Sequence, residues 1–463
     1  RMGPPGVLLS LMVRHTSGGC KTVRVPKVQA GTDSYLLMLW VVRGMSKSVS
    51  TGILEGITVV DLSTFVTGGF CTTMLANQGA DVIKIERPGA GDDIRHSGPP
   101  FVSTAAYDGP GRSAAAEGES PYAWTVNYQK RSVELNLKTD AGLEVLYELV
   151  ETADVVVENF RPGTADRLGV GYDDLRAIDD SIIYCSISAF GDTGPWSQRP
   201  GYDLLIQGMS GIMSVTGTAD GDPVKVGLPM TDLITSMWAA FGITTALYNR
   251  ALTGEGTRVE LGMLDGALPW LTKQAAKAFE GAATMPMGTK DPVIAPYQSY
   301  PTADGYLNVA CANQKLWSGL CTAIDRSDLL EDPRFETNPD RVAHMDALEA
   351  ELAATFTERS TDAWVSLLAD EHGLPVGPVL SVEEALESEH IRARGVIGSM
   401  DHPAYGEQPV IGHPLRFSVA DSGFEAPAPL LGEHTESVLA ELGYDAAAIA
   451  ALRAEGAIPD TDG

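Results

Sequence analysis

Four short and nearly unbroken apolar runs constrain the fold of this chain more than any other feature. They are ITVVDL at 57–62, DVIKIE at 81–86, DVVVENF at 154–160 and IIYCSIS at 182–188. Each has strand length, and none alternates apolar with polar residues as a half-solvated strand does, so both faces of the sheet they build must be covered. Helical segments near 69–79 and 140–152 fall between them. Strands separated by helices predict a parallel sheet and place the chain in the α/β class. The strand RVELGML at 258–264 and the helix before it extend this large domain. Proline and glycine then punctuate 281–305, and helices near 343–356 and 361–371 mark a smaller mixed domain. From about 400 the tail returns to the first pattern. The expected boundaries are 45–265 with 400–463 for the large domain and 285–385 for the small one, with linkers at 266–284 and 386–399.

Charge narrows the function classes. The formal charge of −28 repels phosphate, which argues against nucleic acid or an anionic membrane surface as partner. Acidic residues spread along the whole chain, with lysine scarce, predict a surface adapted to a high-salt cytoplasm, where such charge is screened. Residues 1–44 break the pattern, carrying six basic residues against Asp33, a balance of +5 that leaves −33 for the remainder. They read as a non-native or disordered upstream extension ahead of Met45. The apolar run Tyr35–Val42 within them is too short to span a bilayer. The five cysteines form no CxxC pair and the eight histidines no HxH or HxxxH pair, so neither a disulfide framework nor a metal site is predicted.

One carboxylate stands out. Between Leu233 and Arg250, apolar residues recur at three- and four-residue spacing, which predicts a helix starting near Thr231 just after Pro229. Asp232 falls in its first turn, where free N–H groups and the helix dipole favour the ionised form and predict a carboxylate charged at neutral pH. A nucleophile and an ordinary capping aspartate both fit that position. Upstream, a hairpin-like segment is expected between Gly217 and Val226.

Six blocks decide between these readings. They are LEGITVVDLS (54–63), GADVIKIERPGAGDDIR (79–95), NYQKRSVELNLKTDAG (127–142), ADVVVENFRPGTADRLG (153–169), GYD (201–203) and PLLGEHTESVLAELG (429–443). In this order they resemble the class III CoA-transferase family, which contains formyl-CoA transferase, carnitine CoA-transferase and alpha-methylacyl-CoA racemase. The resemblance covers nearly everything after Met45. It implies a Rossmann-like large domain, a small domain, and a homodimer of interlinked rings, while the scattered, unpaired cysteines predict a reducing, cytoplasmic compartment. It further implies Asp232 as the residue that forms an acyl anhydride, and Arg87, Asn159 and Arg167 as contacts to coenzyme A, which is a substrate and not a tightly bound cofactor. Arg199, beside the GYD block, is a candidate for phosphate or for a second carboxylate of the substrate. Lys130 and Arg131 are expected to be structural, and Glu433 and His434 to cap or pack a C-terminal helix.

The reaction expected is transfer of CoA from an acyl-CoA to a free acid through aspartyl anhydride and aspartyl-CoA thioester intermediates. Two departures from the family refine it. Tyr202 stands where the racemase branch carries an acid/base histidine, which argues against 2-methylacyl-CoA racemisation. The glycine-only loop of formyl-CoA transferase has no counterpart near 281–299, which argues against oxalate with formyl-CoA. Small dicarboxylates follow as expected substrates, with succinyl-CoA as donor and mesaconate, citramalate or malate as acceptor. A nicotinamide dehydrogenase is the outside alternative, since Glu86 ends the second strand. Gly68 and Gly69 after the first strand do not complete GxGxxG spacing.

Overall fold

The computed structural model describes residues 10–14, 20–24, 52–104, 107–420 and 423–460. It comprises a unit of residues 1–50 and a unit of residues 51–463. In the first, β1 (Ser10–Arg14) pairs antiparallel with β2 (Cys20–Arg24). The reading of 1–44 as an extension otherwise lies outside the described residues.

The second unit is built on β3 (Thr58–Asp61), β4 (Asp81–Glu86), β5 (Lys130–Glu134), β6 (Val155–Glu158), β7 (Ile183–Ser188) and β8 (Thr257–Gly262). These six strands lie in the order β5-β4-β3-β6-β7-β8, and every neighbouring pair is parallel. The order reverses between β3 and β6. Successive residues of each strand feed opposite faces. Val60, Ile83 and Val156 pack with Leu146 and Leu149 of one helix and with Val438 and Ile449 near the C-terminus. Val59, Val82 and Val155 pack instead with Cys71 and Leu75 and with Ala239 and Ile243. Both faces are covered, as the apolar runs require.

The helices against the second face are α1 (Phe65–Ala76) and, after the short α2 (Asp203–Met209), the long α3 (Met230–Thr253). α1 begins four residues earlier than its apolar content suggests, because its first turn carries the small residues Thr67, Gly68 and Gly69. A Cβ on Gly68 would sit 2.2 Å from Ser63 Cβ, so this glycine allows the helix to fold back onto the strand end. The segment between Gly217 and Val226 contains no strand, which corrects the expected hairpin.

Residues 295–374 surround a core of their own, including Tyr300, Leu307, Trp317, Phe356 and Trp364. There β9 (Tyr297–Pro301), β10 (Tyr306–Ala310) and β11 (Val376–Pro378) form an antiparallel sheet. The helix expected over 361–371 is α-helical at Thr361–Val365 and π-wound over Ser366–Glu371. A hairpin of β12 (Ile397–His402) and β13 (Gly406–Ile411) follows, unheralded by the apolar pattern.

β5 was also missed, since KRSVE reads as a polar loop. Its charges are buried and partnered. Lys130 Nζ donates to Asp61 Oδ2 at 3.0 Å, Gly69 O at 2.9 Å and Asn127 Oδ1 at 3.1 Å. From β4, Lys84 Nζ donates to Ser63 O at 2.8 Å and lies 2.9 Å from Asp92. Arg95 forks onto Glu86 through two 2.8 Å bonds and also reaches Glu119 and Pro429 O. Arg131, by contrast, is a part-exposed tie between Asp81 and Glu441.

Burial works against every one of these charges, and for Glu86, Asp61, Lys84 and Arg95 the partners outweigh it. Burial pushes Glu86 up, yet the Arg95 guanidinium holds it down to about 2. Asp61 is held well below the usual carboxylate range by Lys130 and Lys84 despite its burial. Lys130 is brought down to about 8, because burial outweighs the attraction of Asp61. Removing one partner of such a set strands the others. Lys130→Met is therefore expected to cost about 3–5 kcal/mol in urea unfolding. The stabilisation from Asp61 and Glu86 is present above their unfolded values of 3.8 and 4.5 and is lost as pH falls through their lower folded values. Unfolding midpoints measured from neutral pH down to about 2 should fall accordingly.

Candidate active site

In an open parallel sheet the crevice lies at the carboxyl ends of the strands where the order reverses. Here that point is between β3 and β6, and a cavity of about 780 Å³ opens there. Its wall includes Ser63–Phe65 after β3, Arg87 after β4, Asn136 and Lys138 after β5, Asn159–Pro162 after β6, and Arg199, Tyr202 and Asp232.

The β3–α1 turn is held from two sides. Asn159 Oδ1 accepts from Thr64 N and its Nδ2 donates to Thr64 O, both at 2.8 Å. Phe65 N donates to Asp92 Oδ1 at 2.9 Å, and Asp92 is itself paired with the buried Lys84. Phe65 has φ 58°, a left-handed conformation that a bulky non-glycine residue adopts only where its surroundings impose it. Its side chain is exposed and lines the cavity.

Asp232 enters from the first turn of α3. The helix start is fixed from α2, because Asp203 Oδ1 accepts from both Thr231 N and Thr231 Oγ1 at 2.8 Å. Asp203 thus acts as the cap that the sequence left unidentified, and Asp232 is spared that role. The Asp232 carboxylate instead accepts a hydrogen bond from Thr67 Oγ1 on α1. The helix start predicts a carboxylate charged at neutral pH. Burial dominates, and with the nearby negative charge of Asp203 it raises the group from 3.8 to about 6, although the Thr67 bond opposes the shift. At pH 7 the ionised form still leads by roughly ten to one.

The other expected residues divide. Arg87, Asn159 and Arg199 join Asp232 around one cavity, whereas Arg167 lies outside its wall and donates to Thr164 Oγ1 at 2.8 Å. The Asn159 amide is consumed in clamping Thr64, so its side chain shapes the wall. Arg87 bonds Gly91 O and pairs with Asp93, with more than half of its side chain exposed. Arg199 lies over Trp196 at 5.2 Å. The sequence reading missed Arg161, Lys138, Phe65 and Thr67. Arg161 and Lys138 stand three and four residues past the ends of β6 and β5 within quoted blocks; counting onward from β6 would have found Arg161, whereas Lys138 was hidden along with β5. Thr67 carried no local signal, since only the packing of two helices brings it to Asp232. Glu433 and His434 lie outside the wall. Glu433 pairs with His402 at 3.1 Å, and His434 Nδ1 accepts from Ser132 N.

Gly68 and Gly69 sit inside α1 and not in a phosphate-binding turn, which removes the geometry a dinucleotide would need. Among the described residues no three metal-ligating side chains converge, and no helix is long and apolar enough to cross a membrane.

A raised carboxylate pKa destabilises the fold at high pH, since the unfolded group ionises more easily. Asp232→Asn keeps an oxygen for Thr67 and removes this penalty. It is expected to stabilise the protein by about 1–2 kcal/mol near pH 8. The gain should shrink as pH falls through about 6 and vanish below 3.8. Thermal melts of both proteins across that range measure it.

The sequence profile of CoA-transferase family III matches residues 54–435. The chain is 38% identical to mouse succinyl-CoA:glutarate CoA-transferase, over 91% of this chain and 93% of that one. It is 37% identical to succinyl-CoA:mesaconate CoA-transferase of Haloarcula marismortui, over 85% and 97%. It is 38% identical to acetyl-CoA:oxalate CoA-transferase of Acetobacter aceti, over 82% and 94%. A crystal structure of a CAIB/BAIF family protein from Brucella suis superposes with a TM-score of 0.75 at 36% identity, over 85% of this chain and all of that one.

Proposed function

The chain belongs to CoA-transferase family III, and from that premise we propose that it moves CoA from succinyl-CoA to a second dicarboxylic acid, with Asp232 as nucleophile. The observation that carries this reading is a partly buried carboxylate, free of capping duty, in the wall of a cavity that also carries the cations Arg87, Lys138, Arg161 and Arg199. Guanidinium and ammonium groups suit the phosphates of CoA in an otherwise acidic protein.

In the cycle, the Asp232 carboxylate attacks the thioester carbonyl and expels CoA thiolate, giving a mixed anhydride. The thiolate attacks the Asp232 carbonyl carbon, succinate leaves, and an aspartyl-CoA thioester remains. The acceptor carboxylate then attacks that thioester and expels the thiolate, which takes the new acyl group and restores the carboxylate. An ionised nucleophile is needed at the first step, so activity should fall through about pH 6 on the acid side.

Arg199, steadied over Trp196, is suited to the distal carboxylate of a four- or five-carbon acid such as mesaconate or glutarate. Tyr202 supplies no imidazole for α-proton exchange, which keeps the racemase second. A cytoplasmic setting accords with four free, buried cysteines.

We also propose a homodimer, in which the large domain, 45–265 with 400–463, meets the partner's small domain, 285–385. Its support is the outer face of α3, where Met237, Phe241, Tyr248 and Leu252 are all more than half exposed. Light scattering is expected to give twice the chain mass, and Phe241→Glu to shift the protein towards monomer.

The reaction is tested by incubating the protein with succinyl-CoA and glutarate, mesaconate, citramalate, malate or oxalate, and following each new acyl-CoA by chromatography and mass. Transfer to a dicarboxylate that Asp232→Ala abolishes is the expected result. Oxalate, a two-carbon dicarboxylate, as the preferred acceptor would overturn the assignment of a four- or five-carbon acid while leaving the transferase reading in place. If no acid accepts CoA while a 2-methylacyl-CoA exchanges its α-proton with solvent, the racemase replaces the transferase.

A further inference from the structure

Thr67 is the one side chain among the described residues that hydrogen-bonds the Asp232 carboxylate. It is about 5% exposed and is fixed by its neighbours. Ser236 Oγ, one turn beyond Asp232 on α3, donates to Thr67 O at 2.6 Å and stands 2.8 Å from Asp232 O. The backbones that carry the two residues are therefore tied together. A threonine in a helix often turns its hydroxyl back to the carbonyl four residues earlier. For Thr67 that carbonyl is Ser63 O, which already accepts from Lys84 Nζ. The Thr67 hydroxyl proton goes to Asp232 Oδ1, and Oδ2 accepts no hydrogen bond among the described residues.

Resting on the reading of Asp232 as nucleophile, we propose that Thr67 is the oxyanion donor for the aspartyl half of the reaction. With Oδ1 engaged, Oδ2 attacks the thioester and becomes the bridging oxygen of the anhydride, while Oδ1 becomes the carbonyl oxygen on the aspartyl side. When CoA thiolate attacks the Asp232 carbonyl carbon, a carbon–sulfur bond forms and the carbonyl π pair moves onto Oδ1. The hydroxyl of the buried Thr67, already aimed at that atom, meets the charge as it develops. Collapse restores the carbonyl and breaks the bond to Oδ2, which leaves with succinate. The same donor serves when the acceptor carboxylate attacks the aspartyl thioester and the thiolate departs. The threonine therefore acts twice per turnover, with its strongest bond reserved for the tetrahedral species.

The test compares Thr67→Val, Thr67→Ala and Thr67→Ser in the full-length protein. Ala and Ser both lack the methyl group, so their difference isolates the hydroxyl even if Val perturbs packing. Loss of one preorganised donor is expected to lower kcat about 100-fold or more in the Val and Ala proteins. KM for succinyl-CoA should be little changed, and Ser should recover most of the rate. The acid limb of the pH–rate profile should also move upward in Val and Ala, because the bond that resists protonation is gone. Turnover with doubly ¹⁸O-labelled acceptor acid, followed by mass analysis of the Asp232 peptide, separates the two layers of the argument. Label on Asp232 with undiminished kcat in the Val and Ala proteins overturns the donor role alone. A Ser protein as slow as the Ala protein also overturns it, since the hydroxyl would then not be the active element. An unlabelled Asp232 peptide from an active enzyme overturns the nucleophile itself.

Discussion

The buried ion pairs under the β3–α1 turn are the interaction on which the remaining architecture rests. Lys84 and Lys130 project from β4 and β5 beneath the end of β3, where Asp61, Asp92 and backbone carbonyls receive them. Fully desolvated charges are costly unless each hydrogen-bonding position is met, so the set admits few alternative arrangements. One result is Phe65 in a left-handed conformation that its own chemistry disfavours. Another is the start of α1, whose first turn delivers Thr67 to Asp232. The wall of the cavity is thus shaped from below by electrostatics, and the apolar packing of the sheet supplies the stiffness around it.

At Asp232 opposing effects are balanced. A helix N-terminus and a hydroxyl donor favour the carboxylate, while burial and the neighbouring Asp203 disfavour it. Burial wins by enough to raise the basicity of the oxygen and not by enough to protonate it at neutral pH. A more basic carboxylate is a better nucleophile, and a less solvated one sheds less water as it attacks. Asp203 contributes in two ways, since it caps α3 through Thr231 and adds like charge near Asp232.

Much of this was legible in the residues. The unalternating strands announced a sheet covered on both faces, and the period after Pro229 placed Asp232 in a first helical turn. What escaped shares a physical cause. β5 was hidden because buried lysine and glutamate look like a solvated loop until their partners are known. Thr67 was hidden because its importance depends on two helices 165 residues apart meeting at one point. Asn159 was found for its position, and the structure shows its amide tied to Thr64 on both sides. The helix start indicated an Asp232 carboxylate charged at neutral pH, which a value of about 6 still allows, but the upward shift itself was not legible, because a helix-start argument sees local dipoles and not the desolvation that tertiary packing imposes.

The clamp between Asn159 and Thr64 spans 95 residues of chain, and Arg95 reaches across 334 to Pro429 O. A crevice assembled from such distant segments cannot exist in half-formed chains, because closing those loops is unfavourable until the central strands have paired. The same wiring makes the pocket a late arrival in folding and an early casualty of any slip in strand order. A nascent chain short of its C-terminal segment would lack the carbonyl that anchors Arg95, and with it a support of the floor beneath the site. Competence for chemistry is in this sense a proofreading mark that the whole of the second unit has reached its final topology.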